Sequence, residues 1–218
     1  MAIKPILFNT DMVRAIMDGR KTCTRRAVKT RRKDACGFYV TKRTDGSFTG
    51  IYEYDEDERM FENQLIPPYK PGDILYVRET WHRYTKRVGK GEGCHLEEHY
   101  GYKASIANSE DAEEPWKPSI HMPKEAARIW LKVTDINLKR LQDITEDEAK
   151  AEGANWKNGK NVGIEEKMNR TAIERFAEIW DGTISKTNLY RYGWKANPWV
   201  YVIKFERCEK PEGWTNER

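Results

Sequence analysis

The reading that decides the fold is that of residues 127–141, "ARIWLKVTDINLKRL", where Ile129, Leu131 and Val133 alternate with polar positions. Alternation with period two over this length predicts a strand with one buried face. A second such run, "NPWVYVIKFERC" at 197–208, predicts the closing strand, with Asn197-Pro198 holding the chain extended before it. Residues 209–218 are left as a tail. Further out, "IKPILF" (3–8) reads as a short strand. "NTDMVRAIMDG" (9–19) reads as a helix, with polar capping residues, Met12, Val13, Ile16 and Met17 at helical spacing, and Gly19 as its stop. "GFYVTKRTDGSFTGIYEYD" (37–55) is a hairpin pattern turning at Asp45-Gly46. "PYKPGDILYVRETWHRY" (68–84) is a Pro/Gly turn and one strand, beside which "HYGYKAS" (99–105) pairs; residues 104–119 form an acidic surface excursion.

Two helices follow the long strand. In "ITEDEAKAEG" (144–153), Thr145 and Glu148 fit a capping box, with Ile144 and Ala149 as its hydrophobic staple. In "EEKMNRTAIERFAEIWDG" (165–182), Met168, Ala172, Phe176 and Trp180 make one apolar stripe. Strands spread along the chain and divided by few helices predict an α+β fold: a small mixed or antiparallel β-barrel with helices around it. No regular βαβ alternation supports a doubly wound sheet.

At 218 residues the chain is long enough for a sizeable core. Its charged fraction of 34% does not imply disorder, because eight Trp, eleven Tyr and six Phe supply apolar area. No run has the roughly 18 apolar residues of a membrane span, and the N-terminal apolar stretch is short for a secretory signal. A cytoplasmic protein that acts away from membranes is expected. The four cysteines are scattered, which argues against a disulfide framework. Cys94, His95 and His99 lack the second ligand pair usual for zinc, so neither metal nor cofactor is expected.

Charge is uneven. Residues 1–43 hold twelve Lys/Arg against three Asp/Glu, a net +9, which leaves −5 in the rest. Clustered cations are the footprint of a phosphate-bearing partner; a solvated loop at 29–34 is the plainer reading there. The densest part is "GRKTCTRR" (19–26), which sets Arg20, Lys21, Arg25 and Arg26 around Thr24. A threonine hydroxyl is a poor nucleophile until a base removes its proton. No Ser-His-Asp set is visible, and Lys21 is a base for Thr24 only while neutral, a form that neighbouring positive charge and desolvation favour. On chemistry alone, an exposed loop is the commoner reading of such a stretch.

Glu152 ends the 144–153 helix just before Gly153. There a carboxylate meets the negative dipole end, at a cost of about 0.3–1 kcal/mol unless a cation such as Lys21 answers it. Trp81 in "RETW", and Trp194 and Trp199 in "WKANPW", are flat rings of the kind on which bases stack. Glu79 follows the alternation of its strand toward a cavity or a neighbour of Arg78.

Taken in order, "GRKTCTRR", "PGDILYVRETW", "LQDITEDEAKAEG" and "NPWVYVIKFE" resemble the ASCH domain family over residues 4–206, with gaps. The family signature G-x-K-x-x-x-x-R is met by Gly19, Lys21 and Arg26. The "RETW" and "NPW" elements are similar to members carried by phages and prophages. The resemblance implies a PUA-like fold, a single domain over 1–208. The family's smallest enzymes hydrolyse N4-acetylcytidine with a Thr-Lys-Glu set, which falls here on Thr24, Lys21 and Glu152. It therefore implies Lys21 as base, Thr24 as nucleophile and Glu152 in support. Arg20, Arg25, Arg26, Glu79, Trp81, Asn197 and Trp199 are candidates to bind a modified nucleoside or RNA. This chain is about twice the length of those enzymes, with insertions near 30–70, 84–118 and 183–196. Other members are described as ribonucleases or RNA-binding modules, the alternatives to hydrolysis.

Overall fold

The computed structural model describes residues 1–46, 48–106, 115–154 and 170–212. They form two compact units of interleaved segments. The first comprises Met1–Thr22, Gly72–Val133 and Phe205–Arg218; the second comprises Cys23–Pro71 and Thr134–Lys204. The class is α+β, and the strand pairings run in open order, with no closed barrel among the described residues.

In the first unit, β1 (Ile3–Leu7) pairs in parallel with β6 (Ile74–Arg78), which pairs antiparallel with the start of β9 (Trp130–Arg140). Helix α1 (Thr10–Met17) is capped by Asn9, whose side chain accepts the Met12 N–H, and ends at Gly19 with φ +72°. Asp73 is wholly buried and holds the N-terminal strand by accepting from the Ala2 N–H and pairing with Lys4. The expected single strand over 68–84 is in fact two. β6 stops at Arg78, and β7 (Trp81–Val88) joins β8 (His95–Tyr102) in a separate hairpin running from Trp81↔Tyr102 to Val88↔His95. At the break, Arg78 donates to the carbonyls of Ile120 and Met122, while Trp81 turns into a core with Met122 and Ala126.

In the second unit, β3 (Gly37–Lys42), β4 (Phe48–Tyr54) and β5 (Met60–Gln64) form an antiparallel sheet, with Gly46 at φ +81° in the predicted turn. The rest of β9 lies beside β10 (Trp199–Cys208), whose other neighbour is β2 (Cys23–Ala27). Over their shared face lie α2 (Glu146–Ala151) and α3 (Ala172–Thr183): Leu141, Ile144, Ala149, Phe176, Trp180, Val200 and Val202 make one core. The capping box of α2 forms as expected. Helix α3 is capped by Thr171 with Glu174; Met168, at the start of the predicted stripe, lies outside the described residues. A short helix, α4 (Leu189–Tyr192), fills the last predicted insertion.

Candidate active site on strand β2

The stretch 19–26 is not an exposed loop. Its second half is strand β2, paired antiparallel with β10 so that Ile203 faces Thr24, Val202 faces Arg25 and Tyr201 faces Arg26. Opposed residues share a face and neighbours alternate. Thr24 and Arg26 therefore lie on one face and Arg25 on the other, the face that packs on α2 and α3. Thr24 and Arg25 are each 3% exposed.

Burial of Arg25 is answered from α2. Its Nη2 donates to Glu148 Oε2 at 2.5 Å and its Nη1 to Glu152 Oε1 at 3.2 Å, and its guanidinium lies 5.7 Å from the Phe176 ring centre. Lys139, near the end of β9, donates to Glu148 Oε1 at 2.6 Å. Burial pushes the Glu148 carboxyl up, but the Lys139 hydrogen bond, with the charges of Arg25 and Lys139, outweighs it and holds the group below its ordinary value.

Glu152 is the C-cap of α2 and 6% exposed; Gly153 follows it at φ +85°. A cation answers this helix end: Arg25 pairs with Glu152. The Glu152 charge also supports Arg26, whose guanidinium burial pushes down and Tyr69 and Glu152 partly restore. β2 is the last strand in its order, so one carboxylate beside it influences cations of both faces.

In the first unit, Lys21 is 2% exposed. Its backbone N–H closes the end of α1 on the Ala15 carbonyl at 3.0 Å, and its ammonium lies 5.5 Å from the Phe8 ring centre. Arg20 pairs with Asp18. Glu79, 1% exposed, takes a two-pronged contact from Arg128 at 2.9 Å on each oxygen, and the Arg128 guanidinium stacks 4.0 Å from the Tyr102 ring centre. The described contacts of Glu79 are thus an ion pair, and those of Trp81 a packed core.

Asn197 and Trp199 belong to the second unit. Asn197 is not extended but left-handed, φ 45°, because its Oδ1 accepts the Gln142 N–H at 2.8 Å and its carbonyl accepts from Arg140 at 3.2 Å. Asparagine tolerates this conformation better than most residues. Trp199 precedes Ile203 by four residues on β10, so it stands about 13 Å along the sheet from Thr24. Sequence reading missed Lys139 and the double duty of Glu148, which it identified only as a cap. No helix among the described residues is long and apolar enough to cross a membrane. No family model matches the chain, and neither a curated protein nor a solved structure matches it.

Proposed function

We propose that the protein hydrolyses the amide of an acylated nucleoside such as N4-acetylcytidine, as its resemblance to the ASCH family and a PUA-like fold implies. Thr24 is the nucleophile, Lys21 the base and Glu152 the supporting carboxylate. One observation carries this reading: three polar side chains of kinds that usually face water are all buried, at 2% exposed for Lys21, 3% for Thr24 and 6% for Glu152. Burying such groups is costly, and sites of chemistry are where that cost recurs.

In the reaction, Lys21 takes the Thr24 proton as Oγ1 attacks the acyl carbonyl carbon. Collapse of the tetrahedral adduct breaks the C–N bond, and the same proton leaves with the cytosine amine. Water then attacks the threonyl ester, releasing acetate and restoring the hydroxyl. Glu152, bound to Arg25, fixes the negative charge beside β2 against which these protons move.

Appearance of cytidine from N4-acetylcytidine, followed by its ultraviolet spectrum, is the test. Thr24→Ala is expected to lower kcat at least about a thousandfold, and Lys21→Arg about a hundredfold or more, since base catalysis contributes roughly 10²–10⁴. Lys21→Arg separates the two meanings of the cationic stretch: it keeps the charge and removes the base. An inert wild type, or full activity in Lys21→Arg, refutes the proposal. A polyanion grip is less favoured, because many of the basic residues have internal partners: Lys4 on Asp73, Arg20 on Asp18, Arg25 on two glutamates and Arg32 on Asp34.

A further inference from the structure

The second unit holds a cavity of about 260 Å³ near the start of β10. Its walls include Phe38 and Tyr54 from the β3–β4 hairpin, Arg191 and Tyr192 from α4, Arg140 at the end of β9, and Trp199. That volume lies just under the roughly 300 Å³ at which ordinary ligand pockets begin, so it suits one small, flat molecule. The aromatic walls are held in place. Tyr54 packs against Tyr39 at a tilt of 41° with ring centres 4.8 Å apart, and its ring crosses Gly37 so closely that a β-carbon there would stand 2.4 Å from the hydroxyl oxygen.

The two guanidinium groups are fixed but not neutralised. Arg140 stacks 4.4 Å from the Trp199 ring centre and donates one N–H to the Asn197 carbonyl; Arg191 donates to the Ala35 carbonyl at 3.4 Å. Among the described residues no carboxylate pairs with either. Planar donors held by backbone carbonyls in the wall of an aromatic pocket match a ligand that is flat at one end and carries an anionic phosphate at the other.

We infer that this cavity binds a nucleoside 5′-phosphate, its base against the aromatic walls and its phosphate between Arg140 and Arg191. The inference rests on the cavity alone and not on hydrolysis at Thr24. The same chemistry is offered by a free mononucleotide and by one residue of a single strand.

Calorimetric titration with CMP tests it, with cytidine, inorganic phosphate and a cytidine decanucleotide lacking terminal phosphates as the other arms. CMP is expected to bind at least tenfold more tightly than cytidine or phosphate. Arg191→Gln and Arg140→Gln each weaken CMP at least tenfold, while Arg59→Gln, at an exposed arginine outside the cavity walls, leaves its affinity unchanged. Arg191 is exposed on a short helix, so its loss does not threaten the fold, and unchanged circular dichroism checks this. Competition by the decanucleotide identifies a strand as the source; its failure to compete identifies the free nucleotide, and either result upholds the pocket. No CMP binding, phosphate binding as tightly as CMP, or full affinity in both the Arg140 and Arg191 variants overturns it.

Discussion

Glu148 shows how much one side chain carries in this protein. It caps α2, pairs with the buried Arg25 on β2 and receives Lys139 from β9. Its carboxyl is held below the ordinary value of 4.5. A depressed carboxyl adds stability that is complete above the unfolded value. This contribution therefore begins to fall as the pH drops through about 4.5 and is gone below the lower folded value. Acid titration of unfolding, monitored by tryptophan fluorescence, should show a steeper loss over that range for wild type than for Glu148→Gln. The Glu79–Arg128 pair gives a second case. Arg128→Met leaves the Glu79 carboxylate buried alone and is expected to cost about 3–5 kcal/mol in denaturant unfolding, whereas Glu79→Leu with Arg128→Met recovers most of it. An equal loss in both variants would show that packing, not the stranded charge, sets the cost.

Among the elements, caps and alternation were legible and β2 was not. Asn9, Thr145 and Gly19 announce helix ends through local hydrogen bonds and backbone freedom, and those ends lie where expected. "CTRRA" announces nothing, since two adjacent arginines fit no buried pattern. The partners that make burial of Arg25 tolerable, Glu148 and Glu152, lie 123 and 127 residues away. Periodicity sees only neighbours, so Thr24 was legible as a candidate while its strand was not. The same limit explains β5, whose "MFENQ" is largely exposed and takes its form from pairing with β4. In α3 the stripe and the cap agree where they can be compared: Thr171 with Glu174 opens the helix, and Phe176 and Trp180 are buried. Gly153 offers a direct test. At φ +85°, Gly153→Ala should destabilise by about 1 kcal/mol, read as a shift of the denaturation midpoint at constant slope. No shift would mean that the turn relaxes freely.

For the whole molecule, the net +9 of residues 1–43 overstates the charge offered to a partner. Lys4 is paired with Asp73 and Arg25 with Glu148 and Glu152, carboxylates outside that stretch, and Arg14 is turned onto the carbonyls of Lys103, Ala104 and Ile106. Binding of single-stranded RNA should therefore weaken only gently with salt. A log–log slope no steeper than about −1.4 corresponds to two phosphates at roughly 0.7 each; a slope several times larger would show a polyanion track. The two long strands have a consequence of another kind. The border between the units cuts through β9 after Val133 and through β10 after Lys204. Each unit is assembled from separated stretches of chain, so a gene broken at either place splits a strand and encodes neither unit whole.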